Sequence, residues 1–172
     1  MKRQKVDAWL VGVAPGESLV EYLAGGPANG ESLDASDSPG SRHPADLQVQ
    51  VGLRGLDADR RIAPYSNLCA VLTSRRLLIA NLGGAWGARP KDLLQEAPRG
   101  GFLCEWWIND VSEAPSAAYF NAVFRFRDGA WAALGCATKL LGRTVAAAAD
   151  AERFVAALGA DGTQIDWRPT GS

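Results

Sequence analysis

The amino-acid sequence predicts a single domain of mainly β structure closed by a C-terminal helix, and three observations carry that prediction. Leu47, Val49, Val51 and Leu53 alternate with Gln48, Gln50 and Gly52, the period of a strand buried on one face. From Ala122 to Cys136 two strand-like runs flank Asp128-Gly129, which suits the left-handed turn of a two-residue hairpin loop. After Gly142 the period changes. Val145 to Leu158 is alanine-rich, with Phe154, Val155 and Leu158 on one face and Asp150, Glu152 and Arg153 largely on the other.

The remaining elements follow in chain order. Residues 1–14 form an N-terminal segment in which Val6 to Val13 reads as a short helix ended by Pro15-Gly16, and Ser18 to Ala24 reads as a strand without clean alternation. Gly25 to Ala45 is so rich in Gly, Pro, Ser, Asn and Asp that it has almost nothing to bury, which predicts a long mobile loop. Past the 47–53 strand, Asp57-Ala58-Asp59-Arg60-Arg61 makes a turn. Asn67 to Thr73 and Arg76 to Leu82 make a hairpin across Ser74-Arg75. Gly83-Gly84-Ala85-Trp86-Gly87 is a loop, because its glycines weaken any regular element. Leu93 to Ala97 is a short strand stopped by Pro98, and Phe102 to Ile108 is a stronger one followed by a loop through Pro115. Thr144 is placed to cap the closing helix and Gly159 to end it in a left-handed conformation. Residues 160–172 form a mostly polar tail, with Trp167 available to dock back on the body. Many strands and one terminal helix together imply a curved sheet or partly open barrel whose mouth the helix covers.

Composition narrows the function classes. The chain has 172 residues, 47% of them hydrophobic and 22% charged, with a formal net charge of -1. That near-neutral balance argues against nucleic-acid binding, which needs many cations facing phosphate. Lys2, Arg3 and Lys5 form a basic run at the N-terminus, read as a solvated end with a membrane tether as the alternative. The apolar run Ala8 to Ala14 is short for a signal segment, and Pro15-Gly16-Glu17 stands where small cleavage-site residues belong. No apolar run approaches the roughly 18 residues of a membrane-crossing helix. Cys69, Cys104 and Cys136, odd in number and set in apolar stretches, read as reduced core residues of a cytoplasmic protein.

Catalytic patterns are missing from the sequence. The single histidine, His43, falls in the glycine- and proline-rich stretch, so no rigid Ser-His-Asp or Cys-His arrangement has a well-placed base. There is no Gly-x-Ser-x-Gly, His-Glu-x-x-His or Cys-x-x-Cys. The Gly83–Gly87 loop resembles a phosphate cradle but lacks the Lys-Ser/Thr ending. Asp57 and Asp59 could hold a divalent cation but read as solvated turn acids. No catalytic residue, metal ligand or cofactor is assigned.

Several stretches carry a resemblance. Ala70-Val71-Leu72-Thr73-Ser74-Arg75-Arg76-Leu77-Leu78-Ile79 resembles a hairpin common in bacterial pleckstrin-homology-like (PH-like) and GRAM-like domains. Arg89-Pro90-Lys91-Asp92-Leu93-Leu94 with Glu96-Ala97-Pro98-Arg99 is similar to the strand that follows it there. Phe124 to Trp131 matches the late hairpin, Ala151 to Leu158 the closing helix, and Pro15-Gly16-Glu17 the entry to the first strand, so the likeness spans roughly residues 15–159. The resemblance implies a partly open barrel of two near-orthogonal antiparallel sheets capped by one helix. It further implies a non-enzymatic module that binds lipids, peptides or proteins. Phosphoinositide binders of this family carry clustered cations near the first inter-strand loop. Here Arg42 and His43 are outnumbered by Glu31, Asp34 and Asp37, which would repel a phosphorylated head group.

The binding candidates are therefore aromatic and basic. Adjacent strand residues point to opposite faces, so of Trp106 and Trp107 one enters the core and the other faces outward, covered by the N-terminal segment or offered as a contact. Trp86 sits on a glycine-rich loop near Arg89 and Lys91, where it packs on the barrel rim or touches a partner or membrane. Arg75 and Arg76 lie at a hairpin turn and suit an acidic partner or local salt bridges. The expected partner is a protein, with peripheral membrane contact as the alternative and a small-molecule carrier or enzyme as the less favoured one.

Overall fold

The computed structural model describes residues 1–27, 55–64, 66–83, 89–110, 118–140 and 143–165. The predicted 47–53 strand, most of the 25–45 loop, His43, Trp86 and Trp167 lie outside these residues. In chain order come α1 (Arg3–Val13), β1 (Leu19–Pro27), a 3₁₀ turn (Ala58–Arg60), β2 (Leu68–Thr73), β3 (Arg76–Gly83), β4 (Arg89–Pro98) and β5 (Phe102–Asp110). Then follow β6 (Ala118–Phe126), β7 (Trp131–Leu140), β8 (Arg143–Thr144), α2 (Ala146–Leu158), a second 3₁₀ turn (Gly159–Asp161) and β9 (Gly162–Gln164). The mainly β reading with one C-terminal helix holds.

The strands run in the order β4-β3-β2-β1-β7-β6-β5-β9, with β8 paired to β7, and the sheet does not close on itself. Every pairing is antiparallel except β5 with β9. β1 is the corner of the molecule. Leu19 to Gly25 pair with β2, whereas Gly26 and Pro27 pair with β7. At that crossing a Cβ on Gly25 would stand 2.4 Å from the carbonyl oxygen of Gly135, so only glycine lets the two backbones pass.

Strand alternation sorts the apolar residues into three clusters. The main one joins Leu23, Leu68, Ala70, Leu72, Leu77 and Ile79 to Phe102, Cys104, Phe120, Phe124 and Leu134, and α2 closes over it with Ala151, Phe154 and Leu158. Phe154 meets Phe124 edge-on at 6.1 Å between ring centroids, a favourable aromatic geometry. The opposite face of β1–β3 is also apolar, and α1 lays Val6 and Leu10 against Tyr22, Cys69, Val71 and Leu78. The third cluster, Trp107, Val123, Trp131 and Ala133, lies on the far face of β5–β7 under Leu56 and Ile165. Burial pushes the Cys69 and Cys104 thiols far above the ordinary range and Cys136 up to about 11.

Several sequence expectations need correction. The short strand expected from Leu93 begins at Arg89, because its charged first half pairs with Leu82 and Gly83. Thr144 does not cap α2. It pairs with Lys139 in β8, and Val145 occupies the cap position with no side-chain hydrogen bond. The Asp128-Gly129 hairpin uses a three-residue connection, Arg127-Asp128-Gly129. Phe126 accepts the Gly129 N–H at 3.0 Å and donates to Ala130 at 2.9 Å, and only Gly129 has a positive φ, +85°. Finally, the polar tail contributes β9, so residues 159–165 belong to the folded body. Gly159 ends α2 at a positive φ, +59°, but its ψ of -126° is not that of the left-handed helical cap its position suggests. Among the described residues no helix is long and apolar enough to cross a membrane.

Candidate functional site

At the β2–β3 turn the chain spends its polar groups on itself. The Thr73 hydroxyl accepts the backbone N–H groups of Arg75 and Arg76 at 3.1 and 3.0 Å, which holds the turn shut. The same hydroxyl donates to Glu17 Oε2 at 2.7 Å, and Arg76 Nε donates to Glu17 Oε1 at 2.8 Å. Arg76 also reaches Glu96 on β4 at 2.8 Å. The Glu17 side chain is only 4% exposed, and the Arg76 guanidinium holds its carboxyl below the usual carboxylate range against the opposing effect of burial. Arg76 is therefore engaged in tying β1, β3 and β4 together. Arg75 is exposed beside it.

Arg89 and Lys91 stand at the other end of the same ladder, where Gly83 faces Arg89 and Arg76 faces Pro98. Seven residue steps along β3 separate the two ends by about 23 Å at ~3.3 Å per residue, so the arginines of the turn and of β4 do not form one patch. Lys91 runs its aliphatic stem across Gly83, where an added Cβ would stand 3.0 Å from Lys91 Cδ. Its Nζ lies 3.4 Å from Asp92 Oδ2, and Asp92 in turn accepts from Asn81 Nδ2 at 3.1 Å. The Trp9 indole N–H of α1 donates to the Lys91 carbonyl oxygen at 2.8 Å. Trp86 falls outside the described residues.

The two adjacent tryptophans occupy opposite faces of β5. Trp106 is half-buried against the main core and stacks on Phe120, 5.8 Å between centroids. Trp107 is 4% exposed beside Trp131. Its cover is not the N-terminal segment, which lies over β1–β3, but Leu56 and Ile165. The Trp131 indole N–H donates to the Asp57 backbone carbonyl at 2.6 Å, and the Arg61 guanidinium lies 5.1 Å from the Trp131 ring centroid, a cation–π distance. Of the N-terminal cations, Arg3 is turned onto β1, donating to Leu19 and Val20 at 2.8 and 3.0 Å. Lys2 and Lys5 are exposed.

A second connected polar centre was not singled out from sequence. Arg99, in the β4–β5 turn, donates to the Ala157 and Leu158 carbonyls at 3.0 and 2.8 Å and pairs with Asp161 at 2.7 Å. Asp161 also accepts the Gly100 N–H at 2.8 Å, and Arg127 donates to the Gly100 carbonyl at 2.9 Å. A cation at the negative end of α2 suits the helix dipole, and an acid next to it neutralises what the carbonyls do not. The only sequence signal was a lone Arg-Gly after Pro98. Among the described residues no group of three or more His, Cys, Asp or Glu is placed to hold a metal ion. Comparison with protein-family models, curated proteins and solved structures returned no match.

Proposed function

We propose that this chain is a non-enzymatic binding module of PH-like fold that engages a protein partner. Two antiparallel groups of strands meeting at β1, with a C-terminal helix laid against β1, β2 and β7, support the PH-like reading. The observation that carries the binding reading is the division of labour among the arginines. Arg76, Arg99, Arg125 and Arg153 pair with Glu17 and Glu96, Asp161, Glu105, and Glu21 with Asp150, so their charge holds the fold. Arg75 and Arg89 are exposed and have no ion-pair partner among the described residues. Exposed arginine is a residue of choice for recognising carboxylates across an interface.

The test is affinity capture from the chain's own host with wild type, R75E and R89E. A specific partner lost with either variant supports the proposal, and a wild-type chain that stays alone removes it. A second reading, contact with an anionic membrane, draws on the exposed Lys2 and Lys5. Co-sedimentation with phosphatidylserine-containing vesicles tests it, and equal binding to neutral vesicles would count against it.

A further inference from the structure

Among the described strands, β5 is the one best suited to pair with another chain. Its sequence, Phe102-Leu103-Cys104-Glu105-Trp106-Trp107-Ile108-Asn109-Asp110, is rich in aromatic and apolar residues and contains no proline or glycine. It pairs with β6 in unbroken register over all nine residues, from Phe102 opposite Phe126 to Asp110 opposite Ala118. Leu103 and Ile108 are 40% and 55% exposed. A regular, apolar strand with little cover on its outer edge is a template for edge-to-edge association.

On the outer side of β5 lies the chain's own β9. Gly162, Thr163 and Gln164 pair in parallel with Cys104, Glu105 and Trp106, and the Ile165 N–H donates to the Trp106 carbonyl at 2.9 Å. Among the described residues this cover is three paired residues long. Parallel pairing is also slightly weaker per residue than antiparallel pairing. Two side chains flank it: the Asp161 carboxylate, bound by Arg99 Nε at 2.7 Å and by the Gly100 N–H at 2.8 Å immediately before β9 begins, and Ile165, packed against the Trp107 cluster immediately after it ends. Gly162 allows the tight passage from that point, since a Cβ there would lie 2.9 Å from Leu158 Cβ. Nothing in β9 itself matches that anchorage. Thr163 and Gln164 are exposed.

We propose that residues 159–165 form a strap, latched by Asp161, that closes the β5 edge against a second copy of this chain. When the latch opens, the Cys104–Trp106 edge pairs with the same edge of another molecule, an association that satisfies its backbone groups symmetrically. The opposite end of the sheet needs no such device. β4 carries Pro90 and Pro98 and two irregularities in its pairing with β3, and Trp9 occupies the Lys91 carbonyl.

The experiment compares the full chain with D161N, and with D161N carrying L103K, by hydrogen exchange and by light scattering over a range of concentrations. Expected for D161N is faster exchange, tenfold or more, confined to the Cys104–Trp106 and 162–165 amides at low concentration, and self-association at high concentration. L103K places a charge beside the edge and returns the double variant to monomer while its exchange stays fast. The proposal is overturned if D161N leaves exchange at these amides unchanged, since Asp161 is then no latch. It is equally overturned if the strap lifts and the chain stays monomeric, or if L103K does not suppress the association. Faster exchange spread evenly over β1–β3 and α2 also rejects it, because the variant then loosens the whole fold.

Discussion

The two ends of the sheet solve the same problem in different ways. β4 is guarded from within: prolines stand at both its ends, its pairing with β3 is interrupted, and the Asn81 side chain bonds the Asp92 N–H at 2.7 Å where the ladder is broken. β5 is regular throughout and is guarded by a separate piece of chain, β9. A guard built into a strand cannot be removed without rewriting the strand, whereas an added one is as secure as its attachment. The attachment here passes through α2 and Arg99, so the stability of the helix and the closure of the β5 edge are coupled.

The largest test of that coupling is Phe154→Ala. Phe154 is fully buried between α2 and the main core and meets Phe124 edge-on. Losing a ring of this kind costs about 3–5 kcal/mol in comparable cores. Urea unfolding monitored at both ends of the molecule should give one lowered, coincident transition. If the β5 region melts before β1–β3, α2 supports the two halves unequally and the fold is less cooperative than a single core implies.

Arg99→Ala follows, with an expected loss of about 1–3 kcal/mol, since it strands a nearly buried carboxylate and two helix-end carbonyls. Arg99→Lys should recover only part of this, because a single ammonium cannot span the helix carbonyls and Asp161 as the guanidinium fork does. Full recovery by lysine would mean that charge alone closes the helix end.

Which parts of this were legible follows from where the information sits. The β2–β3 and β6–β7 hairpins and the body of α2 are set by neighbours in sequence, through turn chemistry and periodicity, and the sequence reading finds them. The guards are not local. β4 starts with Arg89-Pro90-Lys91-Asp92, which alternates poorly because an edge strand faces solvent, so its first half reads as loop. β9 is three residues long and is a strand only because β5 lies beside it, some 58 residues earlier from Gly162 to Cys104. The opposite orientation of Trp106 and Trp107 follows from strand geometry alone. What covers Trp107 does not, since Leu56 and Ile165 come from distant parts of the chain. Thr144 misleads as a cap because hairpin pairing with Lys139 outweighs a preference worth about 1 kcal/mol.

Acid probes the Glu17 centre. The folded Glu17 carboxyl is held below its ordinary value, chiefly by Arg76. It therefore contributes stability that is complete above the unfolded carboxylate range and is lost as pH falls through the folded value. Thermal midpoints measured from pH 7 downward should hold until about pH 4.5, the ordinary glutamate range, and then decline. Glu17→Gln should flatten that decline while lowering the neutral-pH midpoint. An unchanged acid limb in the variant would assign the decline to other carboxylates.

The smallest effect tests whether β4 is guarded from within at all. Trp9→Phe keeps an aromatic ring against the α1–β1–β3 cluster and removes only the N–H that occupies the Lys91 carbonyl. One neutral hydrogen bond contributes about 0.5–1.5 kcal/mol, so the global midpoint should shift by a few degrees at most. Hydrogen exchange separates the possibilities better than a melting curve. If prolines and broken pairing suffice, β4 amides in the variant exchange at the wild-type rate and the chain stays monomeric. Association through β4 on loss of this single bond would make α1 a second strap, and the two edges would then differ only in which terminus supplies the cover.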